Sequence, residues 1–204
     1  MSSVMTYDSL VQNIIDYSER DDADFVAAIP GIIALAEYSI AAQLKTLLQL
    51  TVVETTLAQN QTVLNKPARW RKSVSMKVNG EPVLLRSQDY VAMYLAESAP
   101  AQPTFYSEYD YSNWNFAPMP DKAYPVEIIF YETPQPLDQS NQQNLYTAVC
   151  PQLMLYASMY HAMVYLKALD KIQSWQSYYQ TELEALKKED NTRRIDRNTT
   201  IQEA

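Results

Sequence analysis

Glycine is almost missing. Of 204 residues only Gly31 and Gly80 are glycine. Loops that cradle phosphate need glycine for close backbone approach, so a P-loop and a dinucleotide fingerprint are both excluded. Histidine is scarcer still. His161 stands alone, among apolar neighbours in "SMYHAMVY", which rules out a multi-histidine metal site and a His-based catalytic triad. We read it as a buried or interfacial structural residue. The single cysteine, Cys150, permits no internal disulfide and has no basic residue beside it in sequence to activate the thiol. We expect a structural thiol and a reducing compartment. Positive charge is also short: 16 Lys and Arg against 24 Asp and Glu leave a net charge of −8. A generic nucleic-acid binder would be basic. The run from Ile29 to Leu50 is interrupted by Glu37, Gln43, Lys45 and Gln49, so no membrane-crossing helix is read. The first twenty residues lack a basic start and a long apolar stretch, and no signal peptide is expected. Zinc spacings and calcium-loop patterns are absent, and no cofactor is expected.

Apolar residues make up 47% of the chain, and 16 tyrosines are present. "TYDSLVQNIIDYSE" spaces Leu10, Val11, Ile14 and Ile15 as one helix face, with Thr6 as N-cap and Asp8 in the first turn. Pro30 suits a helix start, followed by a stripe of Ile33, Ala36, Ile40 and Leu44. The pattern then turns β-branched in "LQLTVVETTLA". In "RWRKSVSMKVNGEPVLLR", Val74, Met76 and Val78 alternate with Ser75 and Lys77 before Asn79-Gly80, a strong hairpin signal. "SQDYVAMYLAES" reads as a short helix capped by Ser87. "TFYSEYDYSNWNFAP" and "AYPVEIIFYETP" read as one strand each, and "PQPLDQSNQQ" as a polar linker. Pro151 predicts a break with a long helix after it, and Ile172, Trp175, Tyr179, Leu183 and Leu186 share a face of the last helix. The expected class is α+β. Helices in 1–48 and 136–188 form one bundle, 49–135 is a β-rich insertion, and 189–204 is an extended polar tail.

Candidate chemistry is thin. Glu108 and Asp110, two apart, suit either a weak cation site or a solvated face. Glu127 and Glu132 are an odd number of residues apart, so on a strand they point to opposite faces. "NKPARWRKSVSMK" carries Lys66, Arg69, Arg71, Lys72 and Lys77 around Trp70 with no acid. It fits a nucleic-acid patch, a strand guarded by charge against edge pairing, or a dock for an acidic partner. Tyr106, Tyr109, Tyr111 and Trp114 form an aromatic cluster of the kind found at protein interfaces.

Four stretches in order resemble the head-to-tail adaptor (head-completion or connector) proteins of tailed bacteriophages. They are "MTYDSLVQNIIDYSERDD", "IPGIIALAEYSIAAQLK" with its Ala36-Glu37 pair, "APMPDKAYPVEIIFYETPQPLD" and "CPQLMLYASMYHAMVYLK". The chain departs from that family at Lys66-Pro67-Ala68, where a Leu-Pro followed by an acid is usual. The resemblance implies a non-enzymatic virion protein of the neck, assembled in the host cytoplasm. It would form a ring, typically of twelve copies, that binds the portal protein and receives a downstream tail or nozzle protein. Genomic DNA would pass through the lumen without specific binding, and no membrane is involved. Acidic lumen residues are expected among Asp21, Asp22 and Asp24 or between Glu182 and Asp190. The tail would reach the portal through Arg193, Arg194, Ile195, Arg197 and Ile201. Lys66, Arg69, Trp70, Arg71 and Lys72, with Tyr106, Tyr109, Tyr111 and Trp114, would contact a neighbouring copy or the tail partner. The alternatives are another neck or tail component, such as a tail terminator or nozzle protein, and a nucleic-acid-binding module on 66–77. A carbohydrate- or nucleotide-processing enzyme is the alternative of another class.

Overall fold

The computed structural model describes residues 4–194 of the chain. The class is α+β. Two compact units emerge, one made of the chain up to Leu48 together with the chain from Pro134 onward, the other of Gln49–Thr133.

The first unit is helical. Helix α1, Tyr7–Ser18, opens with a reciprocal cap: the Thr6 hydroxyl accepts from the Ser9 amide, and Ser9 accepts from the Thr6 amide. Helix α2 runs Ala23–Gln43 and starts seven residues before the proline that was expected to open it. Asp22 supplies the cap by accepting from the Phe25 amide at 3.1 Å. Pro30 lies inside the helix at an exposed position, and its missing N–H leaves the Val26 carbonyl without its usual helical donor. Helix α4, Leu145–Val149, is capped by Asn144 and ends at Cys150, and α5, Pro151–Tyr165, takes the proline at its first position. The α5 terminus is a Schellman turn. Lys167 adopts φ 55°, and the Ala168 amide donates back to the Met163 carbonyl at 3.0 Å. Helix α6 then runs Leu169–Arg194. The extended tail expected from residue 189 is therefore helical at least through Arg194, because Asp190 and Arg194 are held as described below.

The core of this unit joins Leu10, Ile14, Phe25, Ile33, Ile40, Leu153, Met159 and Leu183, with Ile172, Trp175 and Leu186 packed on it. At full burial each such side chain contributes about 1.5–3 kcal/mol. By length and composition α2 alone among the described helices could cross a membrane, yet nearly half of it is inside this core. Glu37 lies on its buried side.

The second unit is a pair of four-stranded sheets sharing one core. The first sheet has the order β1 (Leu50–Leu57), β8 (Tyr124–Glu132), β3 (Trp70–Val78), β4 (Glu81–Pro82), all antiparallel. The second has the order β2 (Val63–Asn65), β7 (Asn113–Ala117), β6 (Phe105–Glu108), β5 (Leu84–Leu85). "TFYSEYDYSNWNFAP" is thus a hairpin of β6 and β7 and not one strand. The Asp110 carboxylate accepts from the Ser112 amide and the Asn113 side chain, which stabilises the turn that splits it. Asn79 and Gly80 both take positive φ, 53° and 82°, as a two-residue hairpin turn requires. Helix α3, Gln88–Glu97, capped by Ser87, lays Tyr90 and Tyr94 edge-on against Phe105.

Two register shifts interrupt β3, between Trp70 and Lys72 and between Ser73 and Ser75. They alter the expected alternation. Val74, read as a core partner of Met76 and Val78, is 47% exposed because it is the extra residue of the second shift. Ser73 instead pairs with Phe130, whose side chain is in the core.

Candidate interaction surface

The consequence of those bulges is a closed polar network inside the β unit. The Ser73 hydroxyl accepts from the indole N–H of Trp70 and from that of Trp114, each at 3.2 Å. It donates to Glu108 at 3.2 Å. The other oxygen of Glu108 forms an ion pair with Lys66. The Lys66 ammonium also donates to the Asp110 carbonyl at 2.8 Å, and its side chain is only 3% exposed. It lies 3.9 Å from the Trp70 ring centre and 5.7 Å from that of Trp114. The two indoles meet edge to face. Every member satisfies another, which is what a buried polar cluster needs in order to stabilise.

This network splits the expected contact set. Trp114 and Tyr106 are core residues and Lys66 is buried, so these three support the surface and do not present themselves on it. Burial removes them from contact with any partner of the folded unit. Trp70 is half-buried. Arg69, Lys72, Tyr109 and Tyr111 are exposed, Tyr111 at 83%. Arg71 is of intermediate exposure. Tyr109 and Tyr111 sit in the β6–β7 turn, which Lys66 ties down from beneath through the Asp110 carbonyl and through its own amide to the Ser112 carbonyl at 2.7 Å.

The basic run is also less basic than its sequence. Cross-strand register delivers acids that are distant in the chain: Lys66 to Glu108, Arg69 to Glu132 and Lys77 to Glu127. Strand β1 places Glu54 opposite Glu127, adding another carboxylate to that row. Glu108 and Asp110, considered for a cation, are committed elsewhere. Hydrogen bonds from the Asn113 side chain and the Ser112 amide hold the Asp110 carboxyl below its ordinary value. Among the described residues no cluster of acids, cysteine and histidine could hold a metal.

In the helical unit the C-terminal candidates are engaged within the chain. Arg193 pairs with Glu189 one turn earlier. Arg194 donates to Asp190 at 2.7 Å and to the Lys45 carbonyl at 3.3 Å. Asp190 also accepts from the Leu47 amide at 2.7 Å and is buried, so it cannot line a lumen. Asp22, another lumen candidate, is the α2 cap and pairs with Arg20. Ile195, Arg197 and Ile201 lie outside the described residues.

His161 shares a 2.8 Å hydrogen bond with Ser39, linking α5 to α2, and burial lowers its pKa. Burial pushes the Cys150 thiol up to about 12, as an inert structural cysteine requires. Sequence alone offered Glu37 as an interruption of an apolar run and as half of an Ala-Glu pair, with no structural role. It accepts from the Asn144 amide group at 2.6 Å and from the Leu137 backbone at 3.2 Å. It pins the returning linker to α2, and burial lifts its carboxyl to about 7.

The sequence matches the SU10 adaptor protein family over residues 5–202. The chain belongs to that family. It is a phage structural adaptor protein, a virion component that contacts other head or tail proteins. Membership implies a structural and not an enzymatic role. No curated protein matches the chain.

Proposed function

We propose that this adaptor works in the neck of a tailed phage as a ring, expected to be a dodecamer. The ring binds the portal protein, extends the DNA channel, and offers the attachment site for a downstream tail or nozzle protein. The match to the adaptor family over residues 5–202 carries this reading. The net charge of −8 supports it, since an acidic lumen repels phosphate and lets DNA slide without specific binding. Assembly takes place in the host cytoplasm, before the particle is complete.

In this reading the segment from Arg193 to Ile201 reaches the portal. Arg197 meets carboxylates there, Ile195 and Ile201 fill small pockets, and Arg193 and Arg194 exchange Glu189 and Asp190 for portal acids. Many weak contacts on one ring add by avidity. Tyr109 and Tyr111, with Arg69, Arg71 and Lys72, form the surface offered to the tail partner or a neighbouring copy. The test is deletion of 195–204, which leaves Asp190 and Arg194 in place, followed by portal-binding measurement and imaging of the native particle at the portal–tail junction. Binding at unchanged affinity removes the tail from the mechanism. Density for the chain at another position in the particle favours a tail terminator or nozzle role.

A further inference from the structure

The two sheets of the β unit end in β1, β4, β2 and β5, and only β1 offers a long open edge. The other three are short: β2 has three residues, β4 and β5 two each, and β4 contains Pro82. Such shortness is one way in which sheets avoid pairing with other chains. Strand β1 instead runs eight residues in unbroken register with β8, its one strand neighbour. It has no lysine, proline or bulge, and Thr51, Val52, Val53, Thr55 and Thr56 are β-branched. Hydrogen bonding shows which of its backbone groups are unused. The Asn79 amide donates to the Pro125 carbonyl, so Pro125 and alternate residues of β8 face β3. The residues between them, Val126, Ile128 and Phe130, face β1 and pair with Thr55, Val53 and Thr51. Val52, Glu54 and Thr56 therefore point their N–H and C=O groups away from the sheet, and no backbone hydrogen bond joins them to another described residue.

A row of charges across the sheet defines what fits there. Glu54 on β1 stands opposite Glu127 on β8, which stands opposite Lys77 on β3. Lys77 donates to Glu127 at 2.8 Å. Among the described residues no cation pairs with Glu54. Like charges directly opposite each other destabilise a sheet. A cation on a further strand, roughly 5 Å beyond β1, would complete the row as Lys77, Glu127, Glu54 and cation. Beside that row lies a recess of about 460 Å³ lined by Glu54, Thr56, Lys77, Gly80, Pro125 and Glu127. It has room for the stem of a lysine or arginine.

We propose that β1 takes an extended segment of another protein of the particle as an added strand, with a lysine or arginine of that segment facing Glu54. Main-chain bonds to Val52, Glu54 and Thr56 supply the affinity, and Glu54 selects the partner. A second copy's β1 is the wrong occupant. Paired edge to edge across a two-fold axis in full overlap, its Glu54 falls opposite or diagonal to the first and adds repulsion where a cation is wanted. The proposal deepens the adaptor reading, resting on it only for the source of the strand.

Hydrogen exchange on the full chain tests it, with a capped peptide of alternating threonine and valine, as long as β1, carrying one central lysine. The amides of Val52, Glu54 and Thr56 should slow when the peptide binds. This peptide should bind about fivefold or more tightly than its glutamate counterpart, and Glu54→Lys should reverse the order. Val52→Pro removes an outward N–H, which an edge strand tolerates, and should abolish binding with little change in unfolding temperature. If that variant unfolds, the charge reversal still decides. Equal affinity for the two peptides, or unchanged exchange at the three amides, overturns the proposal. So does slow exchange in the free chain that deletion of 195–204 releases, which gives the edge to the chain's own terminus. In assembled particles the same amides should be slow, and fast exchange there overturns the proposal as well. The peptide arm needs no particle, so failure of the edge and failure of the adaptor reading give different results.

Discussion

The Lys66 ammonium sits 3.9 Å from the centre of the Trp70 ring while forming an ion pair with Glu108. The cation is thus desolvated against an aromatic face, and its carboxylate partner is fixed by Ser73. Lys66→Met keeps the length of the stem but leaves Glu108 with Ser73 as its donor and the Asp110 carbonyl without the ammonium. We expect a loss of about 1–2 kcal/mol, mostly from the desolvated cation–π contact, because the 39% exposed Glu108 makes the ion pair itself worth little. Denaturant unfolding followed by tryptophan fluorescence reads it directly. A loss below about 0.5 kcal/mol would mean that the cluster is only a surface ion pair.

Glu37 makes stability depend on pH in the direction opposite to an ordinary salt-bridged acid. Burial raises its carboxyl from 4.5 to about 7 in the folded chain. Between those values the folded state keeps a proton that the unfolded state has lost, so stability falls as pH rises, by up to about 1.4 kcal/mol per pH unit. The contribution is fully present below the unfolded value and gone above the folded one. Glu37→Gln should flatten this slope between about pH 5 and pH 7 and be the more stable form at pH 8. Equal slopes for the two proteins would show that Glu37 is ionised in the fold throughout.

Asp190 is a polar hinge pin at the end of α6. It accepts from the Leu47 amide and from Arg194, and it is buried. Asp190→Ala leaves the Leu47 amide without its acceptor and Arg194 with the Lys45 carbonyl, at a cost of about 1–2 kcal/mol. Amide exchange at Leu47 should accelerate together with that of the last turn of α6. Exchange that changes at only one of the two places would show that they are not coupled through this carboxylate.

Helix starts and tight turns were legible in sequence in both units because their signals are local. Thr6, Ser87 and Pro151 announce helix starts, and Asn79-Gly80 announces a turn, all within a few residues. Pro30 misled because a proline on a solvent-facing side is tolerated inside a helix whose true cap, Asp22, lies in a run of charge that reads as a linker. In the β half the strands were legible but their pairing was not. Its pairing brings Lys66 to Glu108 and Arg69 to Glu132, residues 42 and 63 apart in the chain. A composition window around Trp70 shows five cations and no acid, so register alone reveals the neutralisation. The two bulges in β3 hid Ser73 in the same way, since strict alternation counted back from the core residues Met76 and Val78 puts Val74 inside and Ser73 outside.

That neutralisation carries a prediction about nucleic acid. Counterion release scales with the number of free cations against phosphate, and Lys66, Arg69 and Lys77 each already have a carboxylate partner. Duplex DNA should bind no more tightly than the non-specific range, about 10⁻⁴ M or weaker at physiological salt. Filter binding across a salt series checks this. A steep negative slope with tight binding at low salt would restore residues 66–77 as a nucleic-acid module.

The α5–α6 turn offers a stabilising change. Lys167 holds φ 55° at the position where a Schellman turn favours glycine, and its side chain is exposed. A non-glycine residue in the left-handed region is strained by about 1–2 kcal/mol, while glycine brings a larger entropy loss on folding of about 0.5–1 kcal/mol. The difference favours Lys167→Gly by about 0.5–1 kcal/mol. The gain should appear as a higher midpoint with an unchanged denaturant slope, because neither the core nor the denatured state's exposed surface is altered. If the variant is instead destabilised, the strain at Lys167 is smaller than its geometry implies, and the turn is held by the packing of Leu166 and Ala168 against the bundle core.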